Sequence, residues 1–323
     1  MPSWNDLVTD FEAVADPQKA TWLHERQTAA LREVGRLRGE RHVLLYGSAF
    51  LQKPQVPPQN IQITSEDLNA FMSVVYGMTW AKGLTLILHT PGGITNAAET
   101  VVAYLRSKFD YIEVVLPTFA MSPGTMISLG ADRIVMGRQS QLGPIDPQFL
   151  VGQGALSARA VVDQFERAKA EILENTLAAH VWAPVLQSIG PALLQEAHNA
   201  LDYGERMVAD WLKMYMFRNE AAKDKRARKA ARHFNDASSH KSHGRRIDRA
   251  EARSVGLAVE DLEDNQELQE HVLTLYHLMT IAFEKGPATK VLMTDTGRVY
   301  VKNWQQPMQI PLPSQPHRLG ASG

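Results

Sequence analysis

Between residues 41 and 136 the chain alternates short, nearly uninterrupted apolar runs with longer segments whose apolar residues recur at helical spacing. The runs are HVLLYGSAF, LTLILH (Leu84 to His89), YIEVVLP (Tyr111 to Pro117) and RIVM (Arg133 to Met136). Hydrophobicity this continuous predicts strands buried on both faces, the condition of a parallel sheet. In the intervening segments, Ser65 stands before Glu66 and Asp67 as an expected N-cap, with a helix running to about Trp80. NAAETVVAYLRSK places Ala97, Val101, Tyr104 and Leu105 on one stripe, and a further helix is expected to begin near Ser122. Repeated strand–helix units of this size predict an α/β fold with a right-handed parallel sheet and helices on both faces.

On either side the pattern changes. Residues 17–40 read as an N-terminal helix closed by Gly39, and the proline-rich LQKPQVPPQN as an irregular connector. After residue 155 the periods are long and helical, clearest in ARAVVDQFERAKAEIL and YGERMVADWLKMYMF. The expected organisation is an N-terminal helical segment (1–40), an α/β core (41–155), a helical part completing the domain (156–290) and an extended tail (291–323) ending in PLPSQPHRLGASG. No internal repeat is evident.

Composition narrows the chemistry. With 44% hydrophobic residues the chain can fill a core, and 34 basic against 35 acidic residues leave a net charge of −1. No overall field therefore favours nucleic acid, and the basic run in residues 220–232 reads as a solvated helix face. The absence of cysteine excludes disulfides, thiolate metal sites and cysteine nucleophiles. No run of about 18 uncharged apolar residues occurs and the first residues are acidic rather than signal-like, so a cytoplasmic protein without a membrane partner is expected. No spacing suggests a metal or other cofactor.

Two glycine-bearing breaks fall at the ends of consecutive expected strands: His89-Thr90-Pro91-Gly92-Gly93 and Ala120-Met121-Ser122-Pro123-Gly124-Thr125. Strand ends of this kind are where α/β sheets bind ligands. A Gly-Gly pair admits a ligand close to backbone amides, and a serine at the neighbouring strand-to-helix break adds a nucleophile. On spacing alone, tight turns and a helix cap explain the same residues.

The motifs LILHTPGG, AMSPGTMISLGADRIVMG and SQLGPIDPQF, in this order, resemble the serine dehydrogenase proteinase family, which groups with the Clp proteolytic subunit and signal peptide peptidase A. The resemblance is dense over residues 40–150 and returns in HKSHGRRIDRAEARSVGLAVE. It implies a Clp/crotonase-like spiral of ββα units, with Ser122 attacking a peptide carbonyl and Gly92 and Gly93 holding the oxyanion. It further implies a peptide or protein substrate and a homo-oligomer whose contacts include the helical second half. Pro123 departs from the family pattern, since proline has no N–H to serve as a second oxyanion donor. The base is open. Signal peptide peptidase relatives use a lysine, and Lys169 projects onto an apolar arc with Val162, Phe165, Ala168 and Ile172 at about 100° per residue. His243 is the alternative, in the segment where Clp subunits carry their acidic residue. The Clp histidine would fall near Asp146, which, set between Pro144 and Pro147, reads as structural or substrate-positioning. His89 reads as a structural histidine. Rival functions on the same motifs are crotonase-type acyl-CoA chemistry and a Clp-like binding or assembly protein with little catalysis.

Overall fold

The computed structural model describes residues 3–151, 154–189 and 192–305. Its first half runs α1 (Trp4–Ala13), α2 (Lys19–Leu37), β1 (His42–Ser48), α3 (Asp67–Val75), β2 (Leu84–His89), α4 (Thr95–Arg106), β3 (Ile112–Leu116), β4 (Phe119–Ala120), α5 (Pro123–Leu129), β5 (Arg133–Met136) and β6 (Gln141–Leu142). The hairpin β7 (Gln148–Val151) and β8 (Gly154–Ser157) leads into α6 (Ala158–Glu174), α7 (Ala179–Ile189), α8 (Leu193–Met214) and α9 (Lys223–Asn235). Short helices α10 (Ala237–His240) and α11 (Arg249–Ser254) precede β9 (Val259–Asp261), α12 (Gln266–Lys285), β10 (Ala288–Thr294) and β11 (Val299–Asn303).

The apolar runs form the centre of a seven-stranded sheet in the order β11-β10-β1-β2-β3-β5-β9. β1, β2, β3, β5 and β9 are parallel, and the register sets Leu44, Leu86, Val114 and Ile134 in one row across them. Because successive residues of a strand face opposite sides, this row packs against Ala70 of α3, Val101 of α4, Met126 of α5 and Val208 of α8. The other face, with Val43, Leu45, Ile87, Val115 and Val135, meets Leu31 and Val34 of α2 and Leu275 and Met279 of α12. Both faces are covered, which is why the strands needed no polar alternation.

Three expectations change. Residues 288–303 are not tail but a hairpin: β10 pairs antiparallel with β1, and Val291, Leu292 and Met293 are buried. Alternation interrupted by the Thr296–Gly297 turn made this hairpin easy to take for an extended end, and PLPSQPHRLGASG itself lies outside the described residues. The helix after Ser65 stops at Val75, before Gly77 at φ +76°, and a separate 3-10 turn covers Trp80–Lys82. Ser65 is not its cap; Asp67 instead receives the Thr64 N–H at 2.7 Å. The second half is helical as expected. The run at 220–232 falls mainly on α9, whose Ala227, Ala230 and Phe234 are buried while Arg226 and Arg232 pair with Glu220 and Glu205.

One buried charge ties the N-terminal helix to the sheet. Glu113 of β3 is fully buried; Arg38 donates to its two oxygens at 2.8 and 2.7 Å, Arg41 stands at 3.0 Å and the Thr85 hydroxyl donates at 2.7 Å. Burial pushes this carboxyl upward, but the two arginines outweigh it and hold its pKa below the ordinary value. A lowered carboxyl stabilises the fold above its unfolded pKa and loses that contribution as the pH drops through the folded one. Arg38→Met should cost about 3 kcal/mol at pH 7, because it strips a buried carboxylate of its main partner, and urea unfolding measures the loss.

Candidate active site

β2 and β3 end side by side, and the chain continues from each into a tight backbone splice. Thr90 N–H donates to Phe119 O at 2.9 Å, and Met121 N–H to Thr90 O at 3.1 Å, so the two connections stay paired beyond the sheet. From there Met121 to Gly124 form a turn closed by Gly124 N–H to Met121 O at 2.8 Å. Ser122, at φ 53° and ψ −120°, occupies the first central position of a type II′ turn, a place usually left to glycine. Among the described residues it shares a positive φ with the non-glycines Glu40 and Lys241. The turn thrusts Ser122 out of the strand at the N-cap of α5, much as a strained elbow presents a hydrolase nucleophile. Pro123 suits the position after it, having no N–H that the turn or helix requires.

Gly92 and Gly93 lie directly against this elbow. A Cβ on Gly92 would stand 2.6 Å from Met121 O and 2.8 Å from Ser122 Cβ; one on Gly93 would stand 2.2 Å from Ile63 O. Their φ values, +100° and +154°, are likewise those of glycine. Ile63 clamps the pair, donating its N–H to Gly92 O at 2.8 Å and accepting from Ile94 N–H at 2.9 Å. The two glycines therefore differ in chemistry: Gly92 N–H is committed to Thr90 Oγ1 at 3.2 Å, whereas Gly93 N–H has no hydrogen bond among the described residues. Gly124 N–H is consumed by the turn itself.

The acid and the histidine come together. His243 Nδ1 lies 2.8 Å from Asp146 Oδ1, and Gln148 Nε2 donates to Asp146 Oδ2 at 2.6 Å. The Asp146 side chain is 1% exposed, that of His243 30%, and His243 Nε2 has no partner among the described residues. Asp146 thus orients Nδ1 of His243 and leaves Nε2 without a partner among the described residues. In the sequence the two residues lie 97 positions apart, with no local pattern joining them. They are joined by the antiparallel bridge that brings Ile247 onto Leu142, with N–H to O distances of 2.9 Å each way. Thr125 ties the same strand to the elbow, donating its hydroxyl to Ala120 O at 2.7 Å and accepting Gly143 N–H at 2.9 Å. Asp146 follows Gly143 by three residues, at most about 10 Å of chain. Ser122 Oγ itself makes no hydrogen bond among the described residues.

Lys169 is elsewhere. It sits on the solvent side of α6, with its side chain 69% exposed and its ammonium 3.9 Å from Glu166. The expected apolar arc contains Val162 and Ala168, which are buried, but Lys169 points away from them. A lysine base needs desolvation to lose its proton, and this one is in water beside a carboxylate. His89 is buried, with Nδ1 2.8 Å from the Thr118 hydroxyl and the ring among Phe50, Phe119 and Tyr276. Burial pushes its pKa down to about 3. Among the described residues, Glu33, Glu267 and His271 are close enough to share a metal ion, but Arg36 already bonds both carboxylates.

A parallel-sheet protein with a serine elbow against a diglycine loop has the layout of an acyl-transfer enzyme. The ClpP-like SDH-type serine proteinase model matches residues 17–280, and the chain belongs to that family. Two uncharacterized proteins of Methanocaldococcus jannaschii are similar to it. One is 29% identical over 153 residues, covering 47% of this chain and 51% of the relative; the other is 36% identical over 109 residues, covering 34% and 37%. The chain thus spans about half the length, or less, of these curated relatives. Among solved structures, a serine-to-alanine mutant of a membrane-bound stomatin-specific protease is matched over 65% of this chain and 79% of that one, with a TM-score of 0.36 and 16% identity. No helix among the described residues is long and apolar enough to cross a membrane.

His89 offers a pH test of this core. Its folded pKa lies below the usual histidine value, so the unfolded chain takes up its proton first, and stability should fall as pH drops from about 6.5 towards 3, at up to about 1.4 kcal/mol per pH unit. Urea unfolding at pH 7 and pH 5 should show that slope in the parent and a shallower one in His89→Phe.

Proposed function

We propose that this protein is a serine peptidase that cleaves peptide bonds through an acyl-enzyme on Ser122. The observation that carries the reading is the Ser122 turn, which holds a nucleophile in a glycine-only conformation against Gly92 and Gly93. In the proposed reaction Ser122 Oγ attacks the substrate carbonyl while His243 Nε2 accepts its proton. Gly93 N–H donates to the developing oxyanion, and Gly92 gives the approach its room. Collapse breaks the C–N bond, and the departing amine takes the proton from His243; water, activated by the same imidazole, then releases the acyl group. Asp146 orients the imidazole. In this scheme His243 replaces Lys169 as base, since the lysine side chain stands exposed on α6 beside Glu166. The exposed Leu173, Leu177 and Val181 of the arm formed by α6, the following turn and α7 support assembly into a homo-oligomer.

A second reading rests on Pro123. If its missing N–H leaves the oxyanion under-supported, the protein binds or assembles with partners and turns over little.

Fluorophosphonate labelling read by mass spectrometry separates the two. The peptidase reading expects one adduct, on Ser122, and a well-folded protein that takes no adduct would favour the second. With a cleavable peptide pool, Ser122→Ala should lower kcat by about 10⁴-fold or more and His243→Ala by about 10³-fold, with Lys169→Ala within about two-fold of the parent. A large loss in Lys169→Ala with a normal His243→Ala would return the base to the lysine.

A further inference from the structure

A buried ion pair stands behind the diglycine loop without touching the catalytic residues. Lys290 Nζ of β10 lies 3.0 and 2.8 Å from the two carboxylate oxygens of Asp67, with side chains 1% and 4% exposed. Asp67 Oδ2 also accepts the Tyr46 hydroxyl at 3.3 Å and the Thr64 backbone N–H at 2.7 Å. Interior ion pairs are seldom more stabilising than well-packed apolar residues of the same volume, because both ions lose their hydration. Stability alone therefore gives little reason for this one. Its position gives a better one. Thr64 is the residue after Ile63, and Ile63 is bonded through both N–H and C=O to the backbone on either side of Gly93. The segment from Pro58 to Glu66 is a single 3-10 turn, Pro58–Asn60, followed by irregular chain, with no strand of its own to hold it in register. A carboxylate that fixes Thr64 N–H fixes Ile63, and Ile63 fixes the direction in which Gly93 presents its free N–H.

We propose that Asp67, neutralised by Lys290, is a positioning residue: it anchors the Thr64 N–H and so holds the Ile63 segment that aims Gly93 N–H at the acyl oxygen. The proposal rests on the serine peptidase reading of Ser122. It makes a distinction that a merely structural pair would not. The acceptor oxygen matters, and the charge serves to place it. In Asp67→Asn/Lys290→Met the carboxamide oxygen, standing where Oδ2 stands, can still accept from both the Thr64 N–H and the Tyr46 hydroxyl. In Asp67→Ala/Lys290→Met no acceptor remains, yet no unpaired charge is buried either, so both variants should fold.

The experiment uses the full chain, counts active sites by fluorophosphonate titration and measures kcat per titrated site and KM on one peptide. It also follows amide exchange in the peptides that carry Ile63 and Ile94. Asp67→Ala/Lys290→Met should lose about ten-fold or more in kcat per site with KM within about two-fold, and exchange at both amides should quicken about ten-fold. Asp67→Asn/Lys290→Met should stay within about three-fold of the parent in all three readings. Parent-like kcat per site in the alanine variant, or equal losses in the two variants, would overturn the proposal. Should the parent protein take no label, the peptidase reading falls by itself, and the anchor is decided by exchange: unchanged Ile63 and Ile94 amides overturn it, faster exchange in the alanine variant alone upholds it.

Discussion

The polypeptide at Gly92 and Gly93 is pinched between two other backbones, Ile63 on one side and the Met121–Ser122 turn on the other, with less room than a methyl group at either residue. That constraint organises the rest of the site. It draws the connection after β2 and the connection after β3 into contact, although the strands have already ended. Thr90 then bonds to Phe119 and Met121, and the methyl of Thr90 takes the space that a side chain on Gly124 would occupy, 2.5 Å from an added Cβ. Three glycines are thus required by three different close approaches, and each approach helps hold Ser122 at a φ it would not choose. The strain is supported by the sheet. Its strands are buried on both faces, so their ends have little freedom to relax apart.

Much of this was legible in the residues because its physical causes are local. A run such as Leu84 to His89 has no polar alternation to offer water, which forces burial on both sides, and a Gly-Gly pair next to it has few other uses. Ser122 was visible for the same reason. The pairing of Asp146 with His243 was not, since no local rule joins residues so far apart; it depends on Ile247 bridging to Leu142 and on Ile145 N–H reaching Phe234 O at 2.8 Å. Lys169 shows the opposite failure. An arc drawn on an isolated helix assumes that the whole apolar stripe is covered, but α6 packs mainly through Ala158, Val161 and Val162 at its N-terminal end. Further along, Ala168 is still buried but Leu173 is 78% exposed, and the cover does not reach the Lys169 side chain.

The acid and the histidine stand in each other's expected places, and the exchange is chemically reasonable. An imidazole needs its Nδ1 fixed and its Nε2 accessible, whereas a carboxylate that only orients it does better out of water, where the hydrogen bond is stronger. The rigid stretch between Pro144 and Pro147 can bury Asp146 almost completely, and Gln148 satisfies the oxygen that His243 does not use. The segment around His243, with Lys241 at φ 64° and Gly244 nearby, follows the packed short helix α10 and keeps the ring at the surface. Swapping positions between chain segments leaves the hydrogen-bonded pair itself intact.

Pro123 is better understood from the turn than from the missing donor alone. The second central position of a type II′ turn has a negative φ close to what the pyrrolidine ring imposes, and its N–H is not used to close the turn. Proline also bars the preceding residue from the right-handed helical region, the conformation into which a strained Ser122 at a helix start would most easily relax. Pro123 therefore offers no N–H beside Ser122 and stiffens the Ser122 backbone at the same time. With Gly92 N–H committed to Thr90 and Gly124 N–H to Met121, Gly93 is left as the backbone donor of this loop free for an oxyanion. In the proposed reaction a single free amide leaves little tolerance for that amide being misdirected, which is where the clamp through Ile63, Thr64 and Asp67 would gain its importance.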